Sequence, residues 1–202
     1  NDPAAFAAIE GVDAVVGNRS KLLASSTALL IAKNGRSEYP CISVPEMDGA
    51  AFEPMCIRGF DRTRAYLKIE DGCSQRCAYC AIPLVRGRAR SKPAEEVLAE
   101  AAAIIESGCS EIVLTGIETS AYDDLIGLIE KVDALPGLRR LRIGSLDPST
   151  LSDDFIIRYA GMKHTAPHFH ISVQSGSSRT LARMRRRYNG DTLRRRVESI
   201  RH

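Results

Sequence analysis

The chain has 202 residues, 44% of them hydrophobic and 26% charged, with no tryptophan and a formal net charge of +3. That length holds one sizeable core, or one domain and part of another, and no stretch approaches the run of about 18 apolar residues that crosses a membrane. "NDPAAFAAIE" lacks the basic lead and apolar core of a signal peptide, so a cytoplasmic setting is expected, where six cysteines point to metal or redox chemistry before disulfides.

From Pro3 to about Glu10 an Ala-rich helical turn leads into "GVDAVVGN", a short strand ended by Gly17 and Asn18. Residues 19–33 read as helix, with Leu22, Leu23, Leu29 and Leu30 on its apolar side. Residues 34–62 read as a linker, punctuated by Gly35, Pro40, Pro45, Gly49, Pro54 and Gly59, in which no period survives. Beyond it strands and helices alternate. "RAYLKIE" (64–70) puts Ala65, Leu67 and Ile69 on one face, a strand pattern. Pro93 opens a helix with Val97, Leu98, Ile104 and Ile105 at helical spacing, and Gly108 closes it. "EIVLTG" (111–116) is a buried strand, 123–135 a helix, 139–145 a strand, 152–161 a helix, 169–175 a strand and 178–188 a helix.

Repeated strand–helix units with short loops predict right-handed crossovers and a parallel sheet, either open and doubly wound or a (β/α) barrel. In both, functional residues gather at the C-terminal ends of strands. The cysteine loop follows the first strand, "GIE" the second, "SLD" the third and "QSG" the fourth. One edge of the sheet is therefore the expected site.

The cysteine loop, "DGCSQRCAYCAIPLVRG" (71–87), holds Cys73, Cys77 and Cys80. Three chemistries fit such a loop. Zinc usually takes four protein ligands, and only one Cys-x-x-Cys pair is present, with His168 or His170 as the remaining candidates. Disulfides conflict with the compartment and the odd count. Thiolate ligation of an iron–sulfur cluster suits closely spaced loop cysteines, and three ligands to four irons leave one iron open to substrate or cofactor. Cys41, Cys56 and Cys109 have no partner spacing and read as incidental.

The basic residues are clustered. Arg86, Arg88, Arg90 and Lys92 form one run; Arg179, Arg183, Arg185, Arg186, Arg187, Arg194, Arg195 and Arg196 form another. Either alone reads as a solvated face; together they suggest a phosphate-bearing partner.

Cys-x3-Cys-x2-Cys after the first strand of a β/α repeat, with Tyr79 before the last cysteine, resembles the signature of radical S-adenosylmethionine (SAM) enzymes. "LKIEDGCSQRCAYCAIPLVRGRARS", "EIVLTGIETSAY" and "HISVQSGSSRTLARMRRRY" are further similar to the methylthiotransferase family, and "LTGI" and "RMRRRY" to its branch acting on threonylcarbamoyl-adenosine beside the tRNA anticodon. The resemblance implies a partial TIM-like (β/α) barrel preceded by the end of an N-terminal α/β domain. Residues 1–33 would be the remnant of that domain, 34–62 a linker and 63–202 the radical SAM core. It further implies a [4Fe-4S] cluster on Cys73, Cys77 and Cys80, SAM as cofactor, and an electron donor such as flavodoxin or ferredoxin. Tyr79, Gly116, Glu118, Ser145, Gln174 and Arg185 would line the SAM pocket, and Arg86 and Arg88 would meet tRNA phosphates. In the family scheme an electron from the cluster cleaves SAM, and the resulting radical activates adenine C2. That C–H bond is not acidic enough for a side-chain base, so no acid–base residue is assigned.

Two departures accompany the resemblance. Family members carry three more cysteines in the N-terminal domain, holding a second cluster that supplies sulfur, and none of the cysteines here aligns with them. The loop after Tyr122 is also short. The chain thus reads as a fragment, expected to cleave SAM at best. Modification of a ribosomal protein or of isopentenyl-adenosine tRNA is the alternative activity. A zinc-stabilised RNA-binding module is the alternative of another class.

Overall fold

In the computed structural model, which describes residues 2–18, 21–45, 52–53 and 63–202, the chain opens with α1 (Pro3–Ala7). Asp2 caps it, its carboxylate accepting from the Ala4 and Ala5 amides. β1 (Ala14–Val16) and α2 (Lys21–Asn34) follow. The segment read as a linker contains a strand, β2 (Cys41–Ser43), which pairs in parallel with β1. Three residues are too few to show a period, which is why pattern alone passed over it. Cys56 and residues 46–51 and 54–62 lie outside the described residues. α2 is the expected helix, but Leu22, Leu23, Leu29 and Leu30 are exposed rather than packed.

The main sheet is built from β3 (Ala65–Lys68), β6 (Glu111–Thr115) and β7 (Arg140–Ile143), parallel and in the order β3-β6-β7. Between its first two strands lie β4 (Glu70–Asp71), α3 (Ile82–Arg86), β5 (Arg90–Ser91) and α4 (Ala94–Glu106), with β4 and β5 forming a small antiparallel ladder. α5 (Leu125–Asp133) connects β6 to β7, and α6 (Asp153–Ala160), α7 (Ser178–Arg183) and α8 (Gly190–Arg201) complete the chain.

Burial explains the strand order. β3 alternates, with Ala65 and Leu67 sealed and Tyr66 exposed; β7 buries Leu141 and Ile143 but not its arginines. β6 buries Ile112, Val113 and Leu114 in succession, the pattern of a strand covered on both faces, and it occupies the centre. α4 packs on β3 and α5, α5 on α6, and α6 on α8. The core therefore lies between the sheet and this helical layer, with Val97, Ile104, Leu128, Ile129 and Val132 meeting Leu67, Ile112 and Leu141.

Of the expected strand over 169–175 a single isolated parallel bridge remains, Leu146 with Ile171; a second, Leu141 with Thr165, lies just before it. Pro167 between them has no N–H to donate. The bridges are also five residues apart on one side and six on the other, so no continuous ladder forms. The expected helix over 178–188 stops at Arg183, because Arg185 adopts a left-handed conformation at φ 58°. α8 is an element the sequence reading leaves out; Asn189 caps it by accepting from Thr192 N at 2.8 Å. No helix among the described residues is long and apolar enough to cross a membrane.

Candidate functional site

The cysteine loop leaves the C-terminal end of the β3–β4 segment and is laced to its own return. Gly72 sits at φ +85°, and a Cβ there would meet the Arg88 carbonyl oxygen at 2.2 Å, so only glycine fits. Cys73 N donates to Gly87 O at 3.1 Å, and Ala89 N donates to Ser74 Oγ at 3.2 Å. On its far side the loop is tied to the turn after α7, where Ala78 N donates to Met184 O at 3.1 Å.

Cys73 is buried, while Cys77 and Cys80 are half-buried, and all three are free thiols. Gln75 N donates to Cys73 Sγ at 3.4 Å. Burial pushes the Cys73 thiol up, and the charge of Glu118 adds to the effect. Among the described residues no three or more His, Cys, Asp or Glu side chains converge as ligands of a single ion. Thiolates of a cluster bind separate irons and need not converge on one point, so three free thiols on one backbone-braced loop form a donor set of suitable chemistry. Cys41 and Cys109 lie elsewhere, Cys109 with its thiol near Thr63 O and Glu111 O.

Beneath the loop lies an acidic corner. Glu70 is fully buried; its Oε2 accepts from Glu118 N at 2.7 Å, while Oε1 has no partner among the described residues. Burial is the main cause that raises its carboxyl to about 7. Glu118 Oε2 accepts from Gln75 Nε2 at 3.1 Å, joining the end of β6 to the cysteine loop. Burial, then the charge of Asp147, raises the Glu118 carboxyl as well. Gly116 is needed here for a reason the sequence did not suggest: a Cβ would lie 2.8 Å from Glu70 Oε2. Its smallness serves the approach of Glu70 as well as any ligand.

Asp71 is the hub of the opposite side. Its carboxylate pairs with Lys68 at 2.9 Å, Arg90 at 3.0 Å and Arg86 at 3.2 Å, and Lys21 of α2 stands at 3.8 Å. Burial alone would raise its carboxyl, but these cations outweigh burial and hold it below the usual range. Arg86 is thus engaged inward, whereas Arg88 is exposed. Lys92, the last of that basic run, is buried in a pair with Glu100.

The other expected site residues are dispersed around this edge. Tyr79 is 54% exposed. Ser145 Oγ lies 3.4 Å from His170 Nδ1. Gln174 is exposed, with its amide donating to Tyr188 Oη at 3.1 Å. Arg185 points to solvent, and its neighbour Arg186 reaches the site instead, donating from Nη1 to Cys77 Sγ at 3.3 Å and from Nη2 to Asp147. Glu70, Gln75, Asp147 and Arg186 are therefore site residues that sequence reasoning missed. Asp147 alone left a signal, as the acid of "SLD" at a strand end. An open cavity of about 1140 Å³ borders the loop, lined by Cys73, Ser74, Arg76, Leu84 and Arg88 together with Phe6, Val15 and Val44.

Comparison with known proteins places this geometry. The Radical SAM superfamily description matches residues 67–202. The threonylcarbamoyladenosine tRNA methylthiotransferase MtaB of Chlamydia pneumoniae is 43% identical over 148 residues, covering 70% of this chain and 35% of the relative. MtaB of Bacillus subtilis is 38% identical over 197 residues, covering 92% of this chain and 43% of the relative. The chain thus spans less than half the length of these relatives. Among solved structures, the radical SAM methyltransferase TsrM from Kitasatospora setae, with cobalamin and a [4Fe-4S] cluster bound, aligns with a TM-score of 0.57. At 18% identity over 67% of this chain and 28% of that one, it is a likeness of fold.

Proposed function

Given that the chain belongs to the radical SAM superfamily, whose members use SAM and a [4Fe-4S] cluster, we propose that it is part of a tRNA methylthiotransferase acting at C2 of N6-threonylcarbamoyladenosine. The observation that carries the reading is the cysteine loop itself: three free thiols on a backbone-braced turn at the C-terminal end of β3, in a chain similar to two proteins named for that activity. Cys73, Cys77 and Cys80 hold the cluster. When bound, cluster and SAM supply the one-electron chemistry that an unacidic adenine C–H bond requires.

The chain's own residues bind, orient and exclude water. Glu118, fixed by Gln75 and by the Glu70 carboxylate behind its amide, offers a negative group for the SAM ammonium. Tyr79, Gly116, Ser145 and Gln174 complete the pocket, while Arg185, exposed to solvent, stands at its margin. Arg88, exposed beside the cavity, meets RNA phosphate, and Arg86 adds to the same field while bracing Asp71. A second cluster and a protein electron donor complete the reaction in the whole protein, in the cytoplasm.

Deleting the gene that carries this sequence should remove the 2-methylthio mark from threonylcarbamoyladenosine in bulk tRNA, read by nucleoside mass spectrometry. Re-supplying the gene should restore the mark, and the Cys77→Ala variant should not. An unchanged mark in the deletion strain would overturn the assignment.

A further inference from the structure

Three consecutive arginines, Arg185, Arg186 and Arg187, leave α7, and only the middle one is drawn in. The left-handed turn at Arg185 (φ 58°) reverses the chain, so Arg185 and Arg187 stay exposed while the Arg186 side chain is only 6% exposed. Its guanidinium donates to Cys77 Sγ at 3.3 Å, pairs with buried Asp147, and lies 5.4 Å from the centre of the Tyr188 ring. The same turn accepts Ala78 N at Met184 O, so backbone and side chain both grip the cysteine loop between Cys77 and Cys80. Arg186 Nε is buried without an acceptor among the described residues, leaving the guanidinium with more donors than the protein satisfies.

We propose that Arg186 is a positioning residue that sets the reduction potential of the iron–sulfur cluster through the Cys77 sulfur, with Asp147 as its counter-charge. The inference rests on the reading of Cys73, Cys77 and Cys80 as cluster ligands. Hydrogen bonds to ligand sulfurs and nearby charge are levers on cluster potential. One-electron reduction adds negative charge to the cluster and its thiolates, so a cation bonded to one thiolate favours the reduced form. Asp147 returns part of that charge and fixes the geometry. The two residues therefore act with opposite sign: removing Arg186 makes the cluster harder to reduce, and neutralising Asp147 makes it easier.

The test is a redox titration of the chain after anaerobic reconstitution with iron and sulfide, monitored by electron paramagnetic resonance, with iron counted per chain. Arg186→Met should lower the ratio of reduced to oxidised cluster about tenfold at fixed potential, equivalent to about 59 mV for a one-electron couple. Arg186→Lys should fall between Met and the parent, and Asp147→Asn should shift the ratio the opposite way. Midpoints unchanged in loaded Arg186→Met and Asp147→Asn, or shifts of the same sign, would overturn the proposal. If Arg186→Met takes up no iron, Asp147→Asn decides alone: an upward shift supports it, and no shift or a downward one overturns it. A parent chain that binds no iron would fail at the ligand reading instead and carry this inference down with it.

Discussion

Glu70 and Gly116 share one corner of the site: a Cβ on Gly116 would stand 2.8 Å from Glu70 Oε2 and 3.0 Å from both the Glu70 Cβ and its carbonyl oxygen. The carboxylate tip can swing away, but Cβ and backbone cannot. Gly116→Ala should therefore cost about 1–3 kcal/mol, the usual penalty of overpacking. It should also displace the Glu118 amide that Glu70 holds. Urea denaturation measures the first effect. A stability loss under about 0.5 kcal/mol would show that the corner gives way.

The same buried carboxylate predicts a pH dependence. Glu70 has its carboxyl raised from 4.5 to about 7. The folded state thus holds that proton more tightly than the unfolded state. Its contribution to stability is complete below about pH 4.5 and is lost as pH rises through 7. The loss is on the order of 3 kcal/mol. Glu70→Gln, which keeps an oxygen to accept from Glu118 N, should flatten that slope. Urea midpoints at pH 5 and pH 8 for parent and variant provide the check, and identical slopes would refute the assignment to Glu70.

Arg86 and Arg88 should separate cleanly. Arg86 braces Asp71, which is 2% exposed, so Arg86→Ala should lower stability by about 1–2 kcal/mol. Arg88 is exposed, and Arg88→Ala should leave stability within about 0.5 kcal/mol. If Arg88 meets RNA phosphate, its loss should weaken tRNA binding and reduce the slope of log affinity against log salt by about 1. Filter binding across a salt series reads this directly, and an unchanged slope would remove Arg88 from the interface.

These residues also mark how far the sequence could be read. Ala65, Leu67 and Ile69 announced β3 by period two, and Ile112, Val113 and Leu114 announced a central strand by an unbroken apolar run. The cysteine loop was legible because its chemistry lies in local spacing. What escaped depended on backbone geometry or distant contact. Nothing in "RMRRRY" tells which arginine turns inward, because the choice is made by the left-handed conformation of Arg185. Glu70 looked like the polar end of a strand, and its burial follows from the approach of Gly116, 46 residues later. Residues 169–175 carried a strand pattern, yet beyond Pro167 and the extra residue between the bridges only the Ile171 bridge remains of it.

Lys92 supplies the last prediction. The sequence groups it with arginines as a basic run, but it is 4% exposed and pairs with Glu100, which is 8% exposed. A buried pair broken on one side leaves an uncompensated charge, whereas replacing both members by apolar groups removes the problem. Lys92→Met should accordingly destabilise the fold by about 3–5 kcal/mol. Lys92→Met combined with Glu100→Leu should recover most of that loss, since both side chains are already buried away from water. The backbone of Lys92 is unaffected in either variant, with its N–H on Ile69 O and its carbonyl accepting from Tyr122 Oη at 2.8 Å. Urea midpoints of parent, single and double variants close the cycle. A double variant no more stable than the single would mean that the pair fixes the register of α4 on β3 rather than merely neutralising two buried charges.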